Sequence, residues 1–188
     1  LQTALMLADE MIRLFCDHTS GGFHFSASDN ETLIMQTKEA YDGAIPSGNS
    51  IAASVLARLG KLTSNKTYQE IAERTIQRFA SGIQSYPTGF AQMLMANDFL
   101  LGTTQEIIIA GRTNDGEIHT MLRLAAEHYV PHALLAFNHD PQELGRFVEQ
   151  AAYQTSRNNE ATAYNCENFV CLEPLMGSTS FKTALMAL

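Results

Sequence analysis

Between Lys38 and Ser50 the chain sets Glu39, Tyr41, Asp42, Ser47 and Asn49 into one turn-rich loop that opens into an apolar helix. Glu31 lies just upstream, and His24 stands between Phe23 and Phe25 after Gly21-Gly22. Carboxylates and an imidazole gathered at a cavity can divide acid and base work, because like charges brought close push their pKa values apart. Glycoside cleavage would need carboxyl groups roughly 5–5.5 or 6.5–9.5 Å apart. Epimerisation would need an acid/base pair flanking one sugar carbon. Glu39, Asp42 and His24 are the catalytic candidates. Tyr41, Ser47, Asn49 and Glu31 are the candidates for holding substrate, by ring stacking and hydrogen bonds. Every one has a plainer alternative, since Asp, Ser and Asn also hold turns and cap helices, and a histidine beside two phenylalanines is also an ordinary packed side chain.

These residues need a frame, and the first 102 residues supply a helical one. Leu1, Leu5, Ala8, Ile12 and Phe15 recur at steps of four and three, one apolar stripe ended by Gly21-Gly22. A second helix is expected from Asn49 to Leu62, burying Ile51, Val55, Leu59 and Leu62, with Ser47 or Asn49 as its cap. A third runs from Tyr68 to Ile83 on Ala72, Ile76, Phe79 and Ile83. A fourth follows Pro87 to Leu101 on Phe90, Leu94, Asn97 and Leu101. Short polar connections make these antiparallel helical hairpins.

From residue 103 to 188 the pattern changes to a small α/β segment. Glu106 to Ala110 is a β-branched run closed by Gly111, a buried-strand pattern. Asp115 to Tyr129 reads as a helix facing inward through Ile118, Leu122, Ala125 and Tyr129, and Pro131 ends it. Ala133 to Phe137 is a second apolar run. Pro141 opens a helix to Ala152, Ala161 to Leu172 is extended, and Thr179 to Leu188 is a last helix. The alternation predicts a short mixed or parallel sheet with covering helices. Helical periodicity already running at Leu1 is expected of a chain cut from a longer protein within or beside a helix.

Cys166 and Cys171 are a candidate thiol pair. In one uninterrupted strand, positions five apart point to opposite faces, so the two meet only across a turn or bulge. The expectation is therefore free thiols in a reducing, cytoplasmic setting, because three cysteines make no secreted disulfide framework. His128 and His132 are separated by Pro131, which spoils the helical spacing a metal pair would use, and no metal site or cofactor is expected. Gly111 with Asp115 lacks the glycine pattern of a nucleotide loop.

The net charge of -8 argues against non-specific binding to nucleic acid or anionic membrane. No apolar run reaches the ~20 residues of a membrane span.

Three motifs in order carry a resemblance: Tyr41-Asp42-Gly43-Ala44-Ile45-Pro46-Ser47-Gly48-Asn49-Ser50, Glu106-Ile107-Ile108-Ile109-Ala110-Gly111, and Ala163-Tyr164-Asn165-Cys166-Glu167-Asn168-Phe169-Val170-Cys171. The chain resembles the C-terminal portion of the YyaL-like, spermatogenesis-associated thioredoxin-domain-containing proteins. That resemblance implies an (α/α) toroid related to N-acylglucosamine 2-epimerases and six-hairpin glycosidases, of which residues 1–102 would form part. It implies a sugar-type ligand, and a thioredoxin-like domain, absent from this sequence, as partner in the same protein. The resulting expectation is a carbohydrate-interacting or carbohydrate-modifying module. The alternatives are a non-catalytic scaffold for that domain, or a dithiol redox module built on Cys166 and Cys171. An incomplete ring would expose apolar helix faces and self-associate.

Overall fold

A computed structural model describes residues 1–30, 36–167 and 170–186. Helices make up about half of it, with one small mixed sheet of five strands. The chain divides into two compact units, Leu1–Gly102 and Thr103–Leu188.

The first unit is built from α1 (Gln2–Phe15), α2 (Gly48–Leu62), α3 (Lys66–Arg78), α4 (Ala80–Ser85) and α5 (Ala91–Leu101). Ser47 caps α2, its hydroxyl accepting the Ser50 N–H at 3.1 Å. The face α2 buries is made of small residues: Ala52, Ala53, Ala57 and Gly60, with Leu56. Gly60 lets α3 approach closely. A Cβ there would lie 2.7 Å from Gln69 Cγ and 3.0 Å from Asn65 O. Asn65 in turn caps α3 through the Tyr68 N–H. The core gathers Ala40, Ala53, Ile76, Met93 and Ala96, with Phe79, Ile83, Phe90 and Leu100 against it.

The expected stripe on α2 is corrected here. Ile51 and Val55 are exposed, because close helix packing selects the alanine and glycine face instead of the larger side chains. The expected third helix breaks at Phe79, whose backbone (φ -105, ψ 9) leaves the helical region between α3 and α4. Pro87–Phe90 forms a separate 3-10 turn before α5. That helix buries Met93, Ala96 and Phe99, and Leu101 is exposed.

In the second unit, β1 (Gln105–Ala110) is central. It pairs in parallel with β2 (Ala133–Asn138), Ile108 facing Ala136, and antiparallel with β3 (Thr162–Glu167), Ile108 facing Tyr164. β3 also pairs antiparallel with β4 (Val170–Cys171) and β5 (Leu175–Met176). The crossover from β1 to β2 is α6 (Gly116–Glu127). On one face Ile107, Ile109 and Ala163 pack with Ile118 and Met121 of α6 and Phe181 and Leu185 of α8 (Gly177–Leu185). The opposite face carries Glu106, Ala110, Tyr164 and Cys166, as strand alternation requires. Residues of the Glu149–Gln154 segment reach it, through bonds from Gln150 to Glu106 and from Gln154 to Cys166. Glu117, in the first turn of α6, accepts the Ser178 N–H at 2.7 Å and so caps α8 from a distance. That bond holds its carboxyl below the usual range.

Three expectations change in this unit. α6 stops at Glu127 and Tyr129 is 85% exposed, since Pro131 has no N–H to give the Glu127 carbonyl and its ring would clash with that carbonyl in a continued helix. The helix expected over residues 141–152 is one turn, α7 (Pro141–Leu144), then a 3-10 turn at Glu149–Ala152. The extended stretch over residues 161–172 is a hairpin, with Glu167 paired to Val170. It sets Cys166 directly opposite Cys171, and the two are joined as a disulfide instead of standing as free thiols.

Candidate functional site

The site in the first unit starts from a tight turn after α1. Gly21 and Gly22 both hold positive φ (78° and 76°), which only glycine adopts at little cost, and they turn the chain back. Phe23 then bridges to Cys16. Asp17 fastens the turn. Its Oδ1 accepts the N–H groups of Thr19 and Ser20 at 2.8 and 3.0 Å, and its Oδ2 accepts the Ser20 hydroxyl at 2.7 Å.

Lys38 arrives from the following segment, its side chain only 8% exposed. The ammonium donates to Asp17 Oδ2 at 2.7 Å, Ser20 Oγ at 2.8 Å and the Gly21 carbonyl at 2.7 Å, using all three of its hydrogens. The Lys38 bond, then those from Ser20 and Thr19, hold the Asp17 carboxyl far below the usual carboxylate range. His24 lies beside this clamp, Nε2 3.7 Å from Asp17 Oδ2, and its Nδ1 is buried with no partner among the described residues.

Asn49, in the first turn of α2, ties three pieces together. Its Oδ1 accepts the Phe23 N–H at 2.7 Å, and its Nδ2 donates to the carbonyls of Phe23 (3.0 Å) and Glu39 (2.8 Å). Backbone pairing of Phe25 N–H with the Thr37 carbonyl completes the tie. A pocket of about 270 Å³ lies where these pieces meet. α1 contributes Met11 and Phe15, the returning chain Phe23, His24 and Phe25, and the loop Glu39. α2 contributes Gly48, Asn49 and Ala52. The walls are mostly apolar, and Phe25 stands 74% exposed. A Cβ on Gly48 would meet nothing within 4 Å among the described residues. The Glu39 carboxylate has no hydrogen bond or ion pair among the described residues, its backbone carbonyl alone being used.

Of the residues singled out in the sequence, His24, Glu39 and Asn49 line this pocket. Ser47 is the α2 cap, its hydroxyl also donating to Ser50 Oγ. Asp42 works as a strut. Its Oδ1 accepts the Ser47 N–H at 2.8 Å, and its Oδ2 accepts the N–H groups of Gln92 and Met93 at the start of α5. Tyr41 is 61% exposed and stacks on Tyr86, centroids 6.4 Å apart and planes 7° from parallel. Glu31 lies outside the described residues. The sequence reading missed Asp17 and Lys38. Asp17 with Thr19 and Ser20 is a recognisable Asx-type turn, whereas nothing local marks Lys38 as its partner.

No protein-family model matches the chain. It is similar to human spermatogenesis-associated protein 20, 28% identical over 178 residues, which is 93% of this chain and 23% of that protein. The protein of the same name from Rattus norvegicus is 29% identical over 178 residues, with the same coverage of 93% and 23%. The chain thus spans less than a quarter of the length of these relatives, and the aligned stretch takes in residues of both compact units.

Proposed function

We propose that the pocket between α1 and α2 takes a small polyhydroxylated, sugar-type ligand. The observation that carries the reading is the pairing of apolar, aromatic walls with a carboxylate, that of Glu39, which no described residue engages, the common composition of small-molecule sites. Glu39 accepts ligand hydroxyls, and His24 stands in the wall beside it. Phe25 offers a ring face to the apolar side of the ligand. If the module modifies its ligand, Glu39 and His24 are the pair that divides base and acid work at one sugar carbon. Asp42, Ser47 and Asn49 act as framework, because backbone groups already engage them. The sugar class is drawn by analogy from the epimerase-like toroid that the motif resemblance implies.

A second reading is a non-catalytic domain of a longer protein. It draws on the same engagement of Asp42, Ser47 and Asn49 by the backbone, which leaves few polar groups free for chemistry.

Isothermal titration of the chain against a panel of hexoses and N-acylated hexosamines separates the two. Binding should appear for at least one sugar. Gly48→Leu, which projects into open space, should abolish it with an unchanged melting temperature. Glu39→Gln should weaken it roughly tenfold, the scale of a hydrogen bond to a charged group. Silence across the panel, or binding indifferent to Gly48→Leu, refutes the sugar site and leaves the second reading.

A further inference from the structure

The Cys166–Cys171 bridge is asymmetric. Cys166 is 1% exposed, set among Ala110 and Tyr164 on the sheet, whereas Cys171 is exposed on the edge strand β4. Residues on either side of Cys171, Val170 and Leu172, are also exposed. A buried carboxamide serves both sulphurs: Gln154 Nε2 lies 3.1 Å from Cys166 Sγ and 3.3 Å from Cys171 Sγ. The backbone at Gln154 is held by Asn138, whose Nδ2 donates to the main-chain carbonyls of Gln154 at 2.7 Å and Ala151 at 2.8 Å. The bridge spans a sequence separation of 5, so by loop closure it stabilises by about 2 kcal/mol, less than a bridge between distant segments would.

We infer that Cys166 and Cys171 form a redox-active pair that exchanges with an external dithiol, Cys171 being the sulphur attacked and Gln154 the positioning residue. A thiolate of the dithiol attacks Cys171 Sγ. The new sulphur–sulphur bond forms as the Cys171–Cys166 bond breaks, and the electron pair leaves on Cys166 Sγ. Burial alone would make Cys166 a poor leaving group. The Gln154 N–H, already aimed at that sulphur, stabilises the thiolate until it takes a proton. The second thiol of the dithiol then attacks its own sulphur in the mixed disulfide and releases Cys171. The dithiol is oxidised by two electrons, and the cysteine pair gains two electrons and two protons.

The test uses the full 188-residue chain. After oxidation with oxidised glutathione, native protein is reduced with dithiothreitol, quenched by thiol alkylation and read by mass. Full reduction of the pair is expected while circular dichroism shows the chain still folded. Cys166→Ser should capture glutathione at Cys171, and Cys171→Ser should leave Cys166 unlabelled. Gln154→Met should slow reduction roughly tenfold, as loss of one hydrogen bond to a developing charge predicts. The capture experiment stands independently of that variant's folding. Reduction only as fast as global unfolding, capture at Cys166 instead of Cys171, or a pair that glutathione cannot oxidise would each overturn the inference.

Discussion

Asp42 Oδ2 lies 2.9 Å from the backbone nitrogen of Gln92, fifty positions further along the chain. With the Met93 N–H on the same oxygen at 3.2 Å, Asp42 caps α5 from outside that helix. The residue at the helix's own cap position is Phe90, whose ring has no acceptor to offer. A carboxylate facing the first turn of a helix is also favoured by the helix dipole.

Asp42→Ala should therefore lower stability by about 1–2 kcal/mol, the usual cost of a lost cap. Asp42→Asn keeps one acceptor oxygen and should cost less. Urea midpoints read both, and sugar binding per folded molecule should stay as in the parent chain. Reduced binding at full folding would return Asp42 to the ligand site.

Asn49 should prove more demanding. Asn49→Ala leaves one donor and two carbonyl acceptors without their partner, at roughly 2–4 kcal/mol. Asn49→Asp keeps the acceptor for the Phe23 N–H but sets negative charge against the carbonyls of Phe23 and Glu39. It should be at least as destabilising as alanine. A thermal midpoint for Asn49→Asp equal to that of the parent would refute the three-way tie.

Asp17 predicts an acid dependence. Its folded carboxyl is held low by Lys38 first, then by Ser20 and Thr19, so the unfolded chain binds the proton more tightly. The stabilisation is complete above about pH 4, the unfolded value, and is lost as pH falls below it toward the folded one. The Asp17→Asn chain should show a flatter stability profile over that acid range. Parallel profiles would remove the clamp from the account.

Tyr68 predicts the opposite limb. Burial, with the Asp9 hydrogen bond adding to it, pushes its hydroxyl up to about 12. The unfolded phenol ionises near ~10, so the stabilisation is full below that pH and lost as pH rises through the interval between the two. Tyr68→Phe should remove this component, seen as a shallower fall in the urea midpoint at alkaline pH. An unchanged fall would assign it to other groups.

Local chemistry made part of this legible beforehand. Ser47 before a helical run reads as a cap, and the isoleucines of β1 read as a buried strand, because both signals lie within a few residues. The buried face of α2 did not read correctly. Large apolar residues dominate a periodicity count, but Ala53, Ala57 and Gly60 set the helix spacing. The pairing of Cys166 with Cys171 was hidden because no glycine or proline separates them to announce a reversal. Likewise Lys38 meets Asp17 only after the two glycines turn the chain, a meeting that no local pattern encodes.

Residues 48 and 49 stand side by side in the wall of one pocket and are under opposite constraints. Asn49 is fixed by three bonds to two other segments, while a Cβ on Gly48 would meet no other described residue within 4 Å. A single codon can therefore recut the cavity without loosening its frame. Among related chains, what the pocket accepts is free to diverge faster than the scaffold that holds it.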